Sequence, residues 1–148
     1  MKTLITILII AAFIQTTILP IDLVLIILIC RSYTRLDKNN LFLGFAFGLF
    51  NSHLYLTTLG FQSLIYLILI QMTHMLSKTR LAGNSLLIVP LSLVLLSINQ
   101  ILNSLFIHQT IELFPKVFLE SLLSWPIFIA VRLWEERFIA RKGIKLKI

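Results

Sequence analysis

A single cysteine, Cys30, stands among the 148 residues, which excludes an internal disulfide, and nothing around it has metal-ligand spacing. Charge is scarce as well: 13% of residues are charged, against roughly 25% in an ordinary soluble domain. Five glycines and four prolines leave no room for a low-complexity linker, and no repeat at a period of about 20 to 50 residues is visible. Catalytic signatures are missing too. No Gly-x-Ser-x-Gly, phosphate loop or paired aspartates occur, and His53, His74 and His108 lack paired ligand spacing. The sequence therefore predicts no enzyme, no metal and no cofactor.

What fills the chain instead is apolar. Hydrophobic residues make up 58% of it, above the roughly 45–50% of a soluble domain, so the expectation is an all-helical integral membrane protein in one compact domain, 1–148. Apolar runs separated by polar or turn residues give six candidate spans: 4–17, 21–33, 41–55, 61–76, 85–107 and 113–134. The net charge of +7 would suggest nucleic acid in a soluble protein. In a membrane protein the placement of the charges carries more than their sum, and nucleic acid is not an expected partner. With six spans, every Lys and Arg except Lys116 falls on one side, which the positive-inside rule makes cytoplasmic together with both termini. The amino-terminal run has no small-x-small cleavage site after it and is read as retained.

The first hairpin needs separate treatment. As one helix, 4–30 would run about 40 Å and carry Pro20 and Asp22 inside the bilayer. Two short helices place Pro20 at a first helical position and Asp22 in the first turn, facing the positive end of the helix dipole. A five-span alternative displaces only Lys2, so charge alone leaves both open.

Four groups of residues are candidates for function. Gly44, Gly48 and Asn51 share one helical stripe, and the G-x-x-x-G lets another backbone approach closely, either a neighbour in the bundle or another protein's helix. Ser85, Ser92, Asn99 and Asn103 form a polar line on the fifth helix, a structural hydrogen-bond seam or the wall of a ligand pocket. Glu120, inside the sixth span, is a functional candidate by position, with a local ion pair to Lys116 as the plainer explanation. Together with Asp22, Gln62 and Asn51 these residues would make an outward-facing polar cavity. Pro126 should kink the sixth helix, and Trp134 with its charged neighbours reads as an interface anchor.

Three stretches, in order, resemble the rod shape-determining protein MreD family. The first is "IQTTILPIDLVLIILI", holding Pro20 and Asp22. The second is "GFAFGLFNSHLYLTTLGFQSLIYLILI", holding Gly44, Gly48, Asn51 and Gly60. The third is "VFLESLLSWPIFIAVRLWEERF", holding Trp125 and Pro126. Asn51 stands where that family usually has aspartate, and Ile21 separates Pro20 from Asp22. The resemblance implies a non-catalytic scaffold of the bacterial cell-elongation machinery in the inner membrane. It would bind an MreC-like bitopic protein and, through it, MreB, RodA and a class B penicillin-binding protein. It also implies a fold similar to the six-helix substrate-binding S components of energy-coupling-factor vitamin transporters, which supplies the alternative function. Membrane lipid is a further expected partner, and self-association is left open.

Overall fold

A computed structural model describes residues 2–18, 21–79, 84–107 and 115–143, with side-chain surroundings through residue 137. These residues form six helices and no strands. They are α1 Lys2–Thr17, α2 Leu23–Thr34, α3 Asn39–Leu54, α4 Phe61–Ser77, α5 Ile88–Ile107 and α6 Pro115–Gly143, with a 3-10 turn at Ser85–Leu87 leading into α5. The expected boundaries agree to within about two residues, except at two places. The 3-10 turn takes the first residues of the fifth span, and α6 continues nine residues past its expected end at Trp134.

The first apolar run is two helices rather than one, since α1 stops at Thr17, α2 starts at Leu23, and the two pack side by side. Pro20 lies outside the described residues. Asp22 is not in the first turn as expected; it is the N-cap residue of α2 and makes no side-chain capping bond. The carboxylate is drawn away from the helix end by Asn99, whose Nδ2 donates to Asp22 Oδ2 at 3.2 Å.

At the centre of the bundle is α2. It is apolar on nearly every face, and a helix with no polar face is stable only when surrounded. Every residue from Val24 through Tyr33 is buried, against α1, α3, α4, α5 and α6. The neighbours show the opposite pattern. Apolar side chains such as Ile10, Phe42, Leu64, Leu105, Leu119 and Leu133 are exposed on their outer faces. Such a surface is unfavourable in water and suits lipid.

The segments Ser85–Phe106 and Pro115–Arg137 are each long and apolar enough to cross a bilayer; α1, α2 and α4 are apolar but shorter. At 1.5 Å per residue α2 reaches only about 18 Å, well short of a hydrocarbon core of about 30 Å.

Candidate functional site

Two helix seams and one polar layer organise the polar side chains. In the first seam, α3 lies against α4. A Cβ on Gly48 would run into the backbone of Ser63, and one on Gly44 would meet the end of the Ile70 side chain. The glycine stripe is therefore filled from within the bundle by α4, and that face has no room for another protein's helix. Asn51, one turn further on, donates from Nδ2 to the Tyr66 hydroxyl at 2.7 Å.

The second seam joins α2 to α6 along its whole length. Glu120 Oε1 accepts the Asp22 N–H at 3.1 Å. The Cys30 thiol donates to the Ser124 carbonyl at 3.5 Å, and Tyr33 packs edge-on against Phe128 with ring centroids 5.7 Å apart. At the far end Arg31 Nε meets Glu135 Oε1 at 3.4 Å, with both side chains almost fully buried, at 5% and 7% exposure. Nothing in the sequence pattern singled out this ion pair. Arg31 counted there only as one of the basic residues that set topology, and Glu135 as part of an interface cluster. α6 stays helical past Trp134, and the exposed Arg132–Glu136 pair, four residues apart at 3.0 Å, lies along this stretch.

The polar layer lies where α1, α3 and α5 end and α2, α4 and α6 begin. It gathers Asp22, Asn51, Gln62, Asn99, Asn103 and Glu120, as the sequence suggested, and adds Gln15 and Tyr66, which it did not. Gln15 Oε1 accepts the Val24 N–H at 3.2 Å, satisfying one of the free donors at the start of α2. Asn103 Nδ2 donates to Asn99 Oδ1 at 3.1 Å, passing the chain from Glu120 through Asp22 along α5. Gln62 lies close to the Tyr66 hydroxyl, which already holds Asn51, and Asp22 is within electrostatic reach of it. The α5 polar line is thus mainly a seam, because Ser92 also bonds Ser124 of α6, with the two oxygens 2.8 Å apart.

One expectation for this layer needs correction. Glu120 does not form the local ion pair with Lys116: its side chain turns inward to the start of α2 and is buried. Lys116 remains within electrostatic reach of both Asp22 and Glu120. Among the described residues, most side chains of the layer are tied to one another or to the start of α2 by hydrogen bonds. Three buried atoms in it lack hydrogen-bond partners, Gln15 Nε2, Asn51 Oδ1 and Asn103 Oδ1.

Away from the layer, Trp125 and Pro126 point outward from α6, and Gly60 caps α4 with φ at +93°, a left-handed conformation that favours glycine. Among the described residues, no three His, Cys, Asp or Glu side chains converge on a point.

Fold and seams define an all-helical protein with two helices capable of crossing a membrane, its buried polar groups mostly paired between helices. No family model, curated protein or solved structure matches the chain.

Proposed function

We propose that the chain is a six-span, non-catalytic scaffold of the bacterial inner membrane, MreD-like, with both termini and the basic end of the bundle in the cytoplasm. It holds an MreC-like bitopic protein and helps to position peptidoglycan synthesis for rod shape. The observation that carries this reading is the α2–α6 seam. There the chain commits its buried charged side chains, Arg31, Glu120 and Glu135, to joining helices. A rigid bundle with an apolar exterior is what a membrane scaffold requires. The tie to cell elongation rests on the residue order around Pro20, Gly44 and Trp125. Because α4 fills the glycine stripe, the partner's helix docks on another face.

A second reading, an S component of a vitamin transporter, is favoured by one observation: the unpartnered Gln15 Nε2, Asn51 Oδ1 and Asn103 Oδ1 in the polar layer offer a donor and two acceptors to a small polar molecule. Mass spectrometry of what co-purifies with a tagged copy, extracted gently from its native membrane, separates the two. A bitopic protein together with cell-wall synthases supports the scaffold. Nucleotide-binding subunits or a bound vitamin refute it.

A further inference from the structure

At the end of the bundle opposite the polar layer, a cavity of about 270 Å³ opens between the α2–α3 connection and the last turns of α4. Two lysines on different elements, Lys38 and Lys78, line it, and both are exposed. Asp37 is the acidic residue in its wall. That carboxylate is already engaged, its Oδ1 accepting the Asn39 N–H at 3.3 Å and its Oδ2 the Asn39 side-chain amide at 3.2 Å. Among the described residues, neither lysine is paired with a carboxylate. Both ammonium groups are therefore available to an anion. His74 lines the same wall, and its buried Nε2 has no hydrogen-bond partner.

The rest of the lining is apolar. Leu36 and Met75 border the cavity and are largely exposed, an arrangement that suits a ligand with an anionic head and a hydrocarbon body. The cavity also shares its end of the bundle with the exposed Arg35, while Arg31 and Arg132 at that end are held by Glu135 and Glu136. Basic pockets between helices on the positive side of a membrane protein select acidic lipid headgroups. We infer that this cavity binds the phosphate of an anionic glycerophospholipid, with Lys38 and Lys78 holding the phosphate oxygens and Leu36 and Met75 meeting the acyl chain. A soluble phosphate ester would use the lysines and leave the apolar wall unmatched. The inference requires only that this end lies at a membrane surface; it stands whichever partner the bundle serves.

The test is native mass spectrometry of the full chain released from nanodiscs of equal phosphatidylglycerol and phosphatidylcholine. Retained phosphatidylglycerol should exceed phosphatidylcholine. Each lysine near an anionic headgroup is worth about fivefold, so Lys38→Ala with Lys78→Ala should cut the phosphatidylglycerol adduct about 30-fold. Replacing both lysines with arginine should retain it. Lys2→Ala with Arg137→Ala removes equal charge from the same end and should change the adduct by less than about twofold. Equal losses in the two alanine pairs, or no loss in the first, would overturn the site. Displacement of the lipid by millimolar glycerol phosphate would overturn the lipid assignment in favour of a soluble phosphate ester.

Discussion

Removing Glu135 should be the most damaging single change in the bundle. The Arg31–Glu135 contact at 3.4 Å corresponds to about 5 kcal/mol of Coulomb attraction at an effective dielectric near 20, offset by the cost of taking both ions out of water. Deleting one partner loses the attraction but keeps the desolvation cost of the other, because Arg31 is held in the buried wall of α2. Glu135→Ala should therefore cost about 3–5 kcal/mol. Replacing both residues, Arg31→Met with Glu135→Leu, removes the two buried charges together and should come out near neutral or up to a few kcal/mol more stable. The assay is reversible unfolding in detergent micelles, read by tryptophan fluorescence and run as a double-mutant cycle. If Glu135→Ala costs under about 1 kcal/mol, or the double variant costs as much as the two singles added, the pair is not the buried strut described here.

Other changes test the remaining seams. Gly48→Ala should destabilise by about 1–3 kcal/mol in the same assay because the new methyl meets the Ser63 backbone; Gly44→Ala should cost less, since the Ile70 side chain can rotate away. Glu120→Gln keeps an oxygen for the Asp22 N–H and should stay within about 1 kcal/mol of wild type, whereas Glu120→Ala should lose about 1–3 kcal/mol. Gly60→Ala has open space around it but must hold a positive φ, so a loss of about 1–2 kcal/mol is expected from backbone strain alone, measurable as a lowered melting temperature by circular dichroism.

Helix positions were readable because they depend on local pattern. Apolar runs broken by polar or glycine-bearing turns mark α1 through α5 closely, and the spacing of Gly44, Gly48 and Asn51 correctly put them on one face. The identity of the neighbour across that face was not readable, since periodicity gives a face and not what fills it. The same limit hid the Arg31–Glu135 pair. Its partners are 104 residues apart in the chain, and a single arginine at a helix end looks the same whether it marks topology or meets a buried acid. Gln15 and Tyr66 escaped notice for a related reason: an amide near a helix end and a tyrosine in an apolar run are common, and only the packing of α2 brings them into the layer. The apolar composition of α2 already held the clue to its central place, because a helix with no polar side has to be enclosed.

That enclosure bears on how the protein is made. α2 leaves the ribosome before α3 through α6, which will pack around it, and the acid that meets Arg31 belongs to α6. Until α6 is made, the Glu135 carboxylate that meets Arg31 in the finished bundle is missing. The α2–α6 seam can thus close only once α3, α4 and α5 have been made. A chain cut short before Glu135 would lose that contact, and with it the far end of the seam.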